Sequence, residues 1–129
     1  MNDHKFIYHV EPKLAKRIIA LFDSLALPAN LHGYEYLASA VAIAVENPDT
    51  IYAVTKKIYP DIAKRYDTNV ACVEAAIRNA IDTSWLIGDA DILYSIFGHT
   101  VRHSSGRPSD AEYIAMVSSK LLVDGDTMG

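Results

Sequence analysis

The sequence has a single cysteine, Cys72, so no internal disulfide can form and a reducing, cytoplasmic setting is expected. Its apolar runs are short. The longest, Ile18 to Phe22 and Val41 to Val45, fall far below the ~20 residues that cross a bilayer, so a soluble chain with no membrane contact is expected. Met1 to Val10 has neither an apolar h-region nor a small-residue cleavage site, and no secretory signal is read there. Glycine-rich phosphate loops, internal repeats and low-complexity runs are all missing. Positive charge is not in excess either. Twelve Lys and Arg against 16 Asp and Glu leave a net charge of −4, which excludes coating of nucleic acid by bulk charge and leaves room only for a focused basic patch.

What is present is an ordinary globular composition, 50% hydrophobic and 22% charged over 129 residues, which is one domain's worth of chain. The charge is segmented. Between Ile51 and Ile81, Lys56, Lys57, Lys64, Arg65 and Arg78 outnumber Asp61, Asp67 and Glu74. Asp82 to Gly98 holds only the acids Asp82, Asp89 and Asp91, and His99 to Ser109 turns positive again with Arg102 and Arg107.

Apolar residues recur at three and four positions through most of the chain, which predicts an all-α fold of about six helices. Pro12 suits a first helical turn, Leu14, Ile18, Leu21, Phe22 and Leu25 form the stripe, and Pro28 closes it. A second helix runs from about Tyr34 to Asn47-Pro48, and a third from Asp49 or Thr50, with Ile51, Val54, Thr55 and Ile58 on one side, until Pro60 stops it. Pro60 also opens a short helix, Asp61 to Tyr66. Asp67-Thr68-Asn69 reads as a turn running into an N-cap, and a long helix follows to about Ile87. Gly88-Asp89 separates it from Ala90 to Phe97. Ser109 and Glu112 form a capping-box pattern before a last helix carrying Tyr113, Met116, Val117, Lys120 and Leu121 on one face. The expected layout is an N-terminal segment with the first helix (1–26), a central unit (27–122) and a polar, frayed tail (123–129).

Tyr59 to Ala80 has the pattern of a helix-turn-helix, with Ile62 and Ala63 inside the first helix, Asp67 where glycine is commonest, and Val73, Ala76 and Ile77 inside the second. Spacing alone equally fits an αα-corner in a helical core. At 100° per residue, Val73, Ile77, Ala80, Ile81 and Ser84 fall on the buried side of the second helix. Ala71, Ala75, Arg78 and Asp82 fall opposite, flanked by Cys72, Glu74 and Asn79.

Leu27-Pro28-Ala29, Gly33-Tyr34, Lys57 to Lys64, and Val73-Glu74 with Ala76-Ile77-Arg78 carry a resemblance to a known family. So, in order, do Trp85, Phe97-Gly98, Thr100-Val101, Pro108, Glu112, Ile114 to Val117 and Lys120-Leu121. From about Leu27 to Leu122 the chain resembles the C-terminal effector domain of the master response regulator of sporulation initiation. The resemblance implies a six-helix fold that lays its helix-turn-helix in the major groove of promoter DNA and acts on transcription; a homodimer on DNA is a further expectation. It also implies that Gly88 to Gly98, with Asp89, Asp91, Ile92, Leu93 and Tyr94, contacts the promoter-recognition subunit of RNA polymerase. The family's regulator carries an N-terminal receiver domain. Only about 26 residues precede the matching region, so this chain has no room for one and is expected to be either an excised fragment or a stand-alone relative.

The recognition helix departs from the family. Positions matching Ala71, Cys72, Ala75 and Asn79 usually hold a serine, two arginines and a histidine, while Glu74 and Arg78 match. Bidentate arginine–guanine contacts are worth roughly 1–3 kcal/mol each, so losing two implies an altered base preference. Arg78 remains for a guanine, Asn79 for an adenine edge, and Glu74 for cytosine or for holding Arg78. Thr68 and Asn69 at the helix start, with Lys64, Arg65, Arg102 and Arg107, suit phosphates.

Enzyme chemistry finds no support. His99 and His103 are four apart, but Gly98, Thr100 and Val101 argue against a helix that would pair them on a metal. Cys72 lacks a nucleophile motif and reads as a free surface thiol, and Glu74 and Asp82 do not face each other as paired acids. Trp85, Tyr34, Tyr36, Tyr52 and Tyr59 read as core rather than as stacking platforms, and no cofactor is expected. Two functions remain: a DNA-binding transcriptional regulator, and a protein-interaction module that keeps the fold but has lost specific DNA binding.

Overall fold

The computed structural model describes residues 10–98 and 107–128. These form six α-helices and no strand, the all-α architecture that the periodicity predicts. The first, α1 (Pro12–Ser24), starts under a cap in which the Glu11 carboxylate accepts from the backbone N–H groups of Lys13 and Leu14 at 3.0 Å each. Those two bonds, helped by nearby Lys13 and Arg17, lower the Glu11 pKa. The helix ends before Pro28. Ala26 takes a left-handed conformation (φ 58°) while its N–H donates to Asp23 O and that of Leu27 donates to Phe22 O, a Schellman closure built on a residue other than glycine.

Helix α2 (His32–Glu46) is buried nearly all round, through Tyr34, Leu37, Ala38, Ala40, Val41, Ala42, Ile43 and Ala44, and α1, α4 (Val70–Ile87) and α6 (Asp110–Met128) pack on it. Gly33 lies in its first turn rather than in the loop before it, and the reason is steric. A β-carbon at Gly33 would sit 2.0 Å from the Ala76 carbonyl oxygen and 2.9 Å from the Ala80 β-carbon, so only a bare α-carbon lets α2 approach that near.

Beyond α2 the chain makes a 3-10 turn (Pro48–Ala53) and a π turn (Val54–Ile58), and passes straight into α3 (Tyr59–Arg65). Pro60 therefore does not stop the third segment as expected. It sits in the first turn of α3, where its missing N–H is not needed, just after Tyr59 N–H bonds Val54 O across a widened turn. The mixed pitch also rotates the side chains: Val54 and Ile58 are buried, Thr55 faces water, and Tyr52, expected in the core, is 86% exposed.

After α4 (Val70–Ile87) and α5 (Ala90–Phe97), the chain closes with α6 (Asp110–Met128). The capping box forms as its residues predict, Glu112 N–H donating to Ser109 Oγ at 3.1 Å and Ser109 N–H to Glu112 Oε1 at 2.8 Å. Tyr113, Ile114, Val117, Ser118 and Leu121 are the buried residues of α6, whereas Lys120 faces water and pairs with Asp124 at 3.4 Å in a helix that continues through the polar tail. Leu14, Ile18 and Phe22 of α1 belong to the same core, where Phe22 meets Tyr34 edge-on at 5.2 Å. Arg17 Nη2 donates to Leu121 O, tying α1 to α6.

Gly33→Ala should cost about 1–3 kcal/mol despite alanine's better helix propensity, because the carbonyl it meets is helix backbone and cannot yield. By contrast Asp67→Gly, at the other left-handed residue (φ 52°), should gain about 0.5–1 kcal/mol. Urea melts of the two variants check the pair of signs.

Candidate nucleic-acid interface

The segment α3–turn–α4 is the helix-turn-helix that the sequence predicts. Asp67 closes α3 in the left-handed region, with Thr68 N–H donating to Ala63 O at 2.8 Å and Asp67 N–H to Lys64 O at 3.4 Å. Asn69 opens α4, its side-chain oxygen accepting from Cys72 N–H at 2.9 Å. Ile62 and Ala63 are buried where α3 packs on α4.

Val73, Ile77, Ala80, Ile81 and Ser84 are the buried residues of α4, the set that the 100° rule places inside. Ser84 fixes the rotation of the helix: its hydroxyl donates to Leu25 O at 2.7 Å, which leaves Tyr113 Oη, 2.9 Å away, to donate to it. On the opposite side Ala71, Cys72, Ala75, Arg78, Asn79 and Asp82 face solvent together, with Glu74 half-buried at their edge. Lys64 and Arg65 lie on α3 beside the turn that carries Thr68 and Asn69, and both lysine and arginine are exposed.

The cations of this face are not equally free. Arg65 Nε pairs with Asp61 at 2.9 Å within α3. Arg78 reaches Glu74 at 3.4 Å, one turn before it, and Asp110 at 3.9 Å on α6. Arg107 lies between Asp82 at 2.8 Å and Asp110 at 3.3 Å, and also donates to Pro108 O at 2.7 Å. Glu74, Arg78, Asp110, Arg107 and Asp82 thus form one chain of alternating charge across the edge of α4. Lys64 makes no ion pair among the described residues. Arg102, with His99 and His103, lies outside the described residues.

Asp110 and the Asp82–Arg107 pair were not legible as parts of this face, because no spacing rule joins α4 to a residue 25 positions later. The Tyr59 hydroxyl was missed as well. It is buried and, among the described side chains, has no hydrogen-bond partner. Burial raises its pKa, with Asp110 and Glu74 adding to the rise and Arg78 opposing it.

The acidic segment is only partly as expected. Leu93 is buried in the core rather than partly exposed, with only its edge on a groove. Asp89 is the N-cap of α5, its carboxylate accepting from Asp91 N–H at 2.8 Å and Ile92 N–H at 3.2 Å. Ile92 and Tyr94 are exposed, and so are Leu86 and Ile87 at the end of α4, which the sequence did not single out. Trp85, half-buried rather than core, lines a groove of about 310 Å³ with Leu86, Gly88, Ala90, Leu93 and Tyr94.

Among the described residues no helix is long and apolar enough to cross a membrane, and no three His, Cys, Asp or Glu side chains gather as around a metal ion.

Three buried tyrosines and the half-buried Tyr66 bear on pH. Burial is the main cause in each case: it pushes Tyr34 up to about 12 and raises Tyr59, Tyr66 and Tyr113 above the usual 10. Unfolded phenols ionise near 10 while the folded ones keep their protons, so stability is full below pH 10 and falls as pH rises beyond it. Urea midpoints should drop between about pH 9 and about pH 11. Tyr59→Phe should leave the neutral midpoint unchanged or higher, since its hydroxyl bonds nothing among the described residues, and should shrink the alkaline loss.

The family model of the sporulation initiation factor Spo0A C terminal matches residues 18–121, from the middle of α1 to the buried turns of α6. The match begins nine residues before Leu27.

Proposed function

The chain belongs to the Spo0A C-terminal family, a family of DNA-binding effector domains of sporulation regulators, and we propose that it regulates transcription by laying α4 in the major groove of promoter DNA. One observation carries this reading to particular residues: α4 presents Ala71, Cys72, Ala75, Arg78 and Asn79 outward on a helix whose other side is locked in the core. Arg78 reads a guanine and Asn79 an adenine edge, while Glu74 holds Arg78 in register. Lys64, Arg65, Thr68 and Asn69 meet phosphates on one side and Arg107 on the other, with Arg102 as a further phosphate contact. With alanines where long polar side chains would read bases, the preferred site is shorter or more degenerate than the family's. Two copies bind adjacent half-sites in the cytoplasm.

The apolar residues Leu86, Ile87, Ile92 and Tyr94, rimmed by Asp89 and Asp91, favour a second role for the α4–α5 corner as a protein contact. On a promoter that partner is the promoter-recognition subunit of RNA polymerase. If DNA binding is absent, this corner is the functional surface and the domain is an interaction module.

Selection from random duplexes should enrich a motif containing guanine. Against that motif Arg78→Ala should cost roughly 1–3 kcal/mol and relax one base per half-site. Lys64→Ala should instead weaken all duplexes alike and lower the salt slope by about 0.9. Tight binding that Arg78→Ala leaves untouched would place another face in the groove.

A further inference from the structure

The chain of charge along α4 has more carboxylates than guanidinium groups, and it lies on the face that would meet a polyanion. Asp82 points outward from α4 with its side chain 57% exposed, and Arg107 covers it at 2.8 Å. Asp110 is the opposite case. At 17% side-chain exposure it is the least solvated member of the chain, and it is shared between Arg107 at 3.3 Å and Arg78 at 3.9 Å. Pairs between exposed groups are weak in water, but a carboxylate withdrawn from solvent loses much when its cation leaves.

We propose that Asp82 and Asp110 set the selectivity of this face: as counter-ions of Arg107 and Arg78 they hold both guanidinium groups off DNA until a duplex replaces them. This rests on the DNA-binding reading above. The effect differs between duplexes. Any duplex offers phosphates, which merely exchange one oxyanion for another while exposing Asp82 and Asp110 to the phosphate field. Only a duplex with guanine in register offers Arg78 the bidentate O6/N7 edge of a base within the groove, which a random sequence does not supply there. The two carboxylates therefore weaken binding to random DNA more than to the site, and discrimination arises from what they withhold as well as from what Arg78 gains. Arg107, read from the sequence as a phosphate contact, is in the free domain first a shield for Asp82.

The test uses the full chain with Asp82→Asn and, separately, Asp110→Asn. Asp82 is exposed, so its variant leaves the core intact even if the Asp110 variant disturbs the start of α6. Binding to the selected duplex and to a scrambled one is followed by fluorescence anisotropy over a salt series. A guanidinium with one counter-ion fewer gains up to one phosphate contact, which adds up to about 0.9 to the salt slope and hence up to roughly eightfold affinity near 0.1 M salt. Each variant is expected to show that gain on the scrambled duplex, a smaller gain on the selected one, and so a lower ratio between them. Binding by the variants where the parent chain is silent would support the proposal in its strongest form. Unchanged slope and ratio in both variants, with the parent binding its site, would overturn the proposal and leave the DNA reading standing. Folded parent and variants that bind no duplex even at low salt would overturn both.

Discussion

The bare α-carbon of Gly33 determines how near α2 and α4 can come, and the outward face of α4 depends on that contact. A β-carbon there would collide with the Ala76 carbonyl and the Ala80 side chain, so α4 is held against α2 by backbone at this point rather than by long, adjustable side chains. Ser84 adds a polar lock, joining α4 to the end of α1 through Leu25 and to α6 through Tyr113. Those contacts leave α4 little freedom to rotate about its axis. A reading face needs such rigidity, because hydrogen bonds to base edges tolerate little displacement.

On that platform the chemistry is set by charge placement rather than by total charge. A net −4 chain can still offer cations locally, yet here the cations nearest the reading edge are held by acids from α4 and from the start of α6. The long-range attraction that brings most DNA-binding domains onto any duplex is accordingly small. On the proposed function, affinity comes from contacts made only at the right sequence. The apolar corner begins at Leu86, one helical turn beyond Asp82, and shares no named residue with this edge.

The stripe of α4 was legible because five apolar or small residues at helical spacing leave one inward side, and the structure buries the same five. Asp67 and the Ser109–Glu112 pair were legible because turn and cap chemistry is local. Pro60 misled, since proline both ends helices and begins them, and only the π turn before it decides which. Leu93 and Tyr52 were misplaced for a related reason: an eight-residue helix and a mixed-pitch segment are too short for periodicity to distinguish their faces. Ala26 gave no signal, because nothing in its side chain favours the left-handed conformation that it adopts. The pairing of Asp82 with Arg107, and of Asp110 with both arginines, depends on tertiary packing that no local rule reports.

Cys72 allows the central claim, that the outward face of α4 is the surface that meets DNA, to be tested without a substitution. It is the sole cysteine of the chain, exposed on that face and three residues after the cap at Asn69. The rate at which a small thiol reagent alkylates it can be measured with and without a saturating selected duplex. The account predicts that alkylation slows in proportion to the fraction bound, and that the alkylated protein no longer recognises the duplex. A duplex that binds fully while Cys72 reacts at its free rate would place DNA on another surface.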